Sequence, residues 1–144
     1  VATNLVLRRG GDRVGLVVFA DHPYFAAPLT LDMPALARTI DHATFGISGN
    51  ATAIADGLGL TLRRLSRSEA KSRVIVLLSD GADNASTVVP AEAGALAARL
   101  GVRIYAIALG PHDLATHPDD PDAVDAEAPG RIARASGGAL FRVR

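Results

Sequence analysis

The chain has 144 residues, enough for one domain that buries roughly 68–70% of its unfolded surface without disulfides or a structural metal. Hydrophobic residues make up 49% and charged residues 21%, ordinary globular usage that argues against a disordered segment or a membrane span. Fifteen basic side chains balance fifteen acidic ones and cysteine is absent, which removes global attraction to nucleic acid or anionic membrane, any disulfide framework and any thiolate site.

No apolar run approaches the ~18 residues of a membrane helix, and "VATNLVLRRGG" lacks the order of a signal peptide, so the segment as given is expected to carry neither target nor anchor. Val1, Leu5 and Val6, followed by Arg8, Arg9 and two glycines, predict the last turns of a helix and its stop, so the chain begins inside an element. "DRVGLVVFA" (12–20) and "YFAAPLT" (24–30) predict two strands, and the short "DHP" connection forces them antiparallel. Pro28 lacks a ladder donor and assigns the second strand to the sheet edge, with Tyr24 and Phe25 expected as core contacts. "LDMPALARTIDHA" predicts a helix with Asp32 as N-cap and Pro34 in its first turn.

In "TAIADGLGLTLRRLSRS", Ile54, Leu58, Leu62 and Leu65 recur with helical period, and Gly57 and Gly59 suggest close packing on a sheet. "RVIVLLSD" is apolar without alternation, the pattern of a strand covered on both faces. Then follow "AEAGALAARL" as helix, "VRIYAIALG" as strand, a polar loop from 111 to about 122, a helix through "GRIARASGG" and a final strand "ALFRVR". Strands alternating with helices on short links define a parallel, doubly wound α/β sheet. Ligands of such sheets bind at the carboxyl edge of the strands, where Asp80 leaves its strand; the plainer alternative is that Asp80, Gly81, Asp83 and Asn84 are turn formers.

The stretches "LLSDGADN", "GNATAIADGL" and "GVRIYAIALG" resemble a von Willebrand factor A domain. "GDRVGLVVFAD", "PLTLD", "SEAKSRVIVLLSDGADN" and "IARASGGALFRV" are similar to the bacterial Bat (aerotolerance-related) type, over about residues 12–143. The resemblance implies a Rossmann-like, mostly parallel sheet with one antiparallel edge strand and helices on both faces. It also implies a metal-ion-dependent adhesion site on three loops: an Asp-x-Ser-x-Ser motif after the first strand, a Thr and an Asp. Thr52 matches the Thr and Asp80 the Asp. Mg²⁺ or Mn²⁺ would be the metal of the complete domain, with a partner's carboxylate replacing one bound water. Mg²⁺ takes six oxygen ligands at about 2.0–2.1 Å and keeps several waters, so hydroxyls and carboxylates on rigid loops suit it.

Asp-x-Ser-x-Ser occurs nowhere in these 144 residues. Residues 1–144 are therefore expected to form a single domain of this type that lacks its first strand, with Thr52 and Asp80 an incomplete ligand set holding no metal. The resemblance sets that strand between those at 12–20 and 73–80. Without it, two apolar edges would face a gap, inviting pairing with a second copy.

Other groups read more plainly. Thr52 before "AIADGL" is also a good N-cap. His112, Asp113, His117, Asp119 and Asp120 lie in a polar loop, with no standard zinc spacing. Arg63, Arg64, Arg67, Lys71 and Arg73 form a solvated basic face near a helix end.

The leading functional expectation is a protein-interaction module, not an enzyme, that recognises an acidic residue of a partner through the metal. The resemblance places the parent protein on the periplasmic face of a bacterial inner membrane. One alternative is a phosphoryl-transfer or metal-dependent enzyme using Asp80. Against it, neither a Gly-x-x-x-x-Gly-Lys-Ser/Thr loop nor a Gly-x-Gly-x-x-Gly fingerprint is present, and the single lysine, Lys71, lies at the opposite end of the strand. Another is a structural domain with a vestigial site.

Overall fold

A computed structural model describes residues 2–19, 22–42, 53–79, 89–109, 112–113, 116, 118–119, 123–124 and 127–143. In chain order the elements are α1 (Ala2–Leu7), β1 (Val14–Val18), β2 (Tyr24–Thr30), α2 (Met33–His42), α3 (Ile54–Leu65), β3 (Arg73–Ser79), α4 (Pro90–Arg99), β4 (Val102–Leu109), β5 (His112–Asp113), β6 (Ala123–Val124), α5 (Glu127–Ala135) and β7 (Leu140–Val143). The α/β alternation matches the expected class. The region expected as a plain polar loop holds one short parallel pairing, His112 with Ala123 and Asp113 with Val124.

β1 and β2 form an antiparallel pair, while β3, β4 and β7 form a parallel sheet in that order. Among the described residues β1 and β3 belong to separate sheets. Two cores follow this division. One gathers Ile54, Leu58 and Leu62 of α3, Ala93 and Ala97 of α4, Ile132 of α5, and Ile75, Leu77, Val102 and Ile104 of the sheet. The other joins Val6, Ala27, Met33 and Leu36. Leu36, Ile54, Leu62, Ile104 and Ile132 are fully buried, each contributing about 1.5–3 kcal/mol of transfer free energy.

β3 departs from the expectation of cover on both faces. Ile75, Leu77 and Ser79 are buried, whereas Val74 is 47% and Val76 37% exposed. The register places Val74 beside Arg103, Val76 beside Tyr105 and Leu78 beside Ile107, so one sheet face faces outward. The reason is where the helices pack: α3, α4 and α5 all contribute to the core on the opposite face. Phe141, 55% exposed, continues the open face, its ring 6.3 Å from that of Tyr105.

Local sequence explains the element ends. The Ala35 N–H donates to Asp32 Oδ1 at 3.0 Å, the cap expected for α2. α5 closes with Gly137 at φ 87°, the left-handed position that favours glycine; its N–H donates to the Arg134 carbonyl and the Gly138 N–H to that of Ala133. This turn brings buried Ser136 against β4, upstream of the stretch that β7 pairs. There Ser136 Oγ accepts the Ile104 N–H at 2.8 Å and donates to the Ala133 carbonyl at 2.7 Å. A donor that no neighbouring strand reaches is thereby satisfied. Gly57 meets Phe19, where an added Cβ would lie 3.1 Å from the ring, whereas Gly59 faces open space. Only the first of these two glycines is held by close packing.

Candidate functional site at the carboxyl edge of the parallel sheet

Arg73, the first residue of β3, orients the helices around the sheet. Its guanidinium donates to the Leu65 carbonyl at the end of α3 and to the Leu100 carbonyl at the end of α4. Both helices thus finish at the amino edge of β3. α3, with 12 residues, is about 18 Å long, α4, with ten, about 15 Å, and β3, with seven, about 23 Å, so both helices run back toward the carboxyl edge and α3 starts the nearer to it. Helix N-termini carry partial positive charge, and those of α3 and α4 point toward the edge where β3 ends in Ser79.

Thr52 and Asp80 themselves lie outside the described residues; their described neighbours lie at this edge. Ser79, buried at 7% exposure, immediately precedes Asp80, and fully buried Ala53 immediately follows Thr52. Ala53, which carries no side-chain cap, is the residue before the first turn of α3; the reading of Thr52 as a capping residue falls outside the described residues. Ala53 and Ile54 are drawn fully into the core, which anchors the start of the helix.

Thr52 and Asp80 offer one hydroxyl and one carboxylate, well short of the six oxygen ligands a small hard cation requires, and no Asp-x-Ser-x-Ser occurs in the sequence to complete them. The donor set in this chain does not fit a tightly bound Mg²⁺ or Mn²⁺. Among the described residues no group of three or more His, Cys, Asp or Glu side chains is placed to hold a metal. His117 and Asp120 lie outside the described residues, and Asp119 is exposed. Arg63, Arg64, Arg67 and Lys71 are exposed as a solvated face should be, but Arg73 is half-buried and leaves that group for its clasp on the two helix ends.

The chain matches the von Willebrand factor type A domain over residues 1–134 and belongs to that family. It is 33% identical over 105 residues to an uncharacterized protein of Borreliella burgdorferi, an overlap covering 73% of this chain and 31% of that protein. The chain thus spans about a third of the length of this curated relative. It shares its fold with an aerotolerance-related membrane protein of Bacteroides fragilis, with TM-score 0.82 and 20% identity, covering 99% of this chain and 77% of that one. A mussel byssus protein, proximal thread matrix protein 1 with a zinc-occupied MIDAS motif, superposes with TM-score 0.76 at 25% identity over 98% of this chain and 34% of its own. Among the described residues no helix is long and apolar enough to cross a membrane.

Proposed function

We propose that this domain is a protein-interaction module, not an enzyme, and that in its complete form it binds an acidic side chain of a partner through a divalent cation. Thr52 and Asp80 would supply two of the metal's oxygen ligands, and the Asp-x-Ser-x-Ser motif of the family the others. The observation that carries this reading is the ending of β3: a parallel strand finishes on buried Ser79, the residue before Asp80 in the sequence, at the edge toward which the N-termini of α3 and α4 point. The family membership and the zinc-occupied MIDAS motif of the byssus protein support it. A site of this kind offers the metal an open position but no nucleophile or general base, which favours docking over turnover. By analogy with the membrane protein of Bacteroides fragilis, the parent would present the domain at a bacterial membrane, on its periplasmic face.

Calorimetric titration with Mn²⁺ tests the reading, using the 144-residue chain beside a version with a strand and loop bearing Asp-x-Ser-x-Ser ahead of Val1. The expected result is binding by the extended chain alone, lost on Asp80→Ala. Binding that survives Asp80→Ala would remove Asp80 from the site. Binding by neither chain would leave a structural domain with a vestigial site.

A further inference from the structure

Among the described residues β2 pairs only with β1, so the other edge of β2 has no strand partner. Pro28, which lacks an N–H, limits the stretch that could pair there to Tyr24–Ala27. Beside this stretch lies a groove of about 630 Å³ between β2 and α2. Tyr24 and Phe25, 49% and 43% exposed, line one wall, contrary to the core role their sequence suggests. Ala35, Arg38, Thr39 and His42 line the other, at the spacing that puts four residues on one helix face.

Arg38 is the one formally charged side chain among the described residues that line the groove, and it is exposed and makes no ion pair among them; His42 beside it is exposed too. Nearby Asp41 accepts a hydrogen bond from Thr3 of α1 at 2.7 Å. The His42 Nδ1 lies 2.6 Å from the Arg38 carbonyl. A carbonyl only accepts, so Nδ1 carries a proton and Nε2 is left to face a ligand, accepting a hydrogen bond from it in the neutral ring and donating one to a carboxylate in the doubly protonated ring.

We propose that this groove docks an extended, acidic segment of a partner protein, added as a strand to the open edge of β2. Its carboxylates would lie against Arg38 and His42, and its apolar side chains against Tyr24 and Phe25. The spacing suits such a segment. Four residues of helix rise about 6 Å, and alternate side chains of an extended strand are about 6.7 Å apart, so successive same-side groups of the segment match the spacing of Arg38 and His42. Backbone pairing at the edge supplies affinity, and the charged wall selects acidic over basic segments. This site needs no metal and stands apart from the reading of Thr52 and Asp80.

The test is an amide NMR titration of the 144-residue chain in EDTA with a capped hexapeptide of alternating valine and glutamate, beside its valine and lysine counterpart. The glutamate peptide is expected to shift the amides of Tyr24–Ala27, Arg38, Thr39 and His42, and the lysine peptide to leave them in place. The double variant Arg38→Glu/His42→Glu should weaken the glutamate peptide at least tenfold and admit the lysine peptide. Both residues are exposed, so an unchanged spectrum elsewhere confirms that the variant is folded. Equal response to both peptides, shifts centred on the Val74 and Val76 face, unchanged affinity in the double variant, or no response up to the peptide's solubility limit would each overturn the proposal.

Discussion

The Arg73 guanidinium donates to the Leu100 carbonyl at 2.6 Å, joining the start of β3 to the residue that caps α4. A second bond from the same group, at 3.3 Å, reaches Leu65 at the end of α3. One cation thus faces the negative ends of two helix dipoles, which favours its charge and fixes both helices on the strand. Arg73→Ala is expected to lower unfolding free energy by about 1–3 kcal/mol in urea denaturation, since bonds from charged groups are the stronger class. Arg73→Lys should recover only part, because an ammonium cannot span two carbonyls as a planar fork does. Equal stability of Arg73→Ala and the parent would show that the clasp contributes nothing.

Ser136 carries a different load. Its hydroxyl satisfies the Ile104 N–H inside the core, so Ser136→Ala leaves a buried donor unpaired and should cost about 1–3 kcal/mol. Thermal melts of parent and variant check this directly. A melting temperature unchanged within error would mean that water reaches Ile104 in the variant.

Two glycines in helices should respond with opposite sign. An added Cβ at Gly94 would lie 2.7 Å from the Ile132 carbonyl oxygen and 2.9 Å from the Ala135 Cβ, so α4 and α5 must move apart to accept it. At Gly59 nothing lies within 4 Å. Gly59→Ala is expected to stabilise by about 0.5–1 kcal/mol through helix propensity, while Gly94→Ala should destabilise by roughly 1–3 kcal/mol. Chemical denaturation of the two single variants would decide it; a gain at both positions would contradict the close approach of α4 and α5.

The alternation along β3 is testable in the same way. Leu77 is buried and Leu77→Ala should cost about 2–5 kcal/mol, whereas Val76→Thr on the outward face should cost less than about 1 kcal/mol. Similar large losses at both positions would mean that the outward face is covered in solution.

Much of this architecture could be read from residue patterns. The three-residue link "DHP" dictated an antiparallel pair, Pro28 marked an edge, Asp32 announced a helix start, and the spacing of Ile54, Leu58 and Leu62 predicted the buried face of α3. Each of these signals is local. The exposure of Val74, Val76, Tyr24 and Phe25 was not legible, because an apolar side chain reports what it prefers and not whether an element arrives to cover it. The Arg73 clasp was hidden for a related reason. In sequence it belongs to a basic run, and only folding brings two helix ends, eight and 27 residues away, to meet it. Of the candidate site, the end of β3 at Ser79 was legible in the apolar run that precedes it, while Thr52 and Asp80 lie outside the described residues.

The division of the apolar residues into two cores bears on motion. Val6, Ala27, Met33 and Leu36 hold one lobe, the longer list around Ile104 and Leu62 holds the other, and among the described residues Phe19 against Gly57 in α3 bridges them. Cooperative units of opening follow contiguous packing, and a small core resists opening less than a large one. Amides of β1 and β2 should therefore exchange with solvent deuterium through a lower-energy opening than those of β3 and β4, releasing Phe19 without dissolving the parallel sheet.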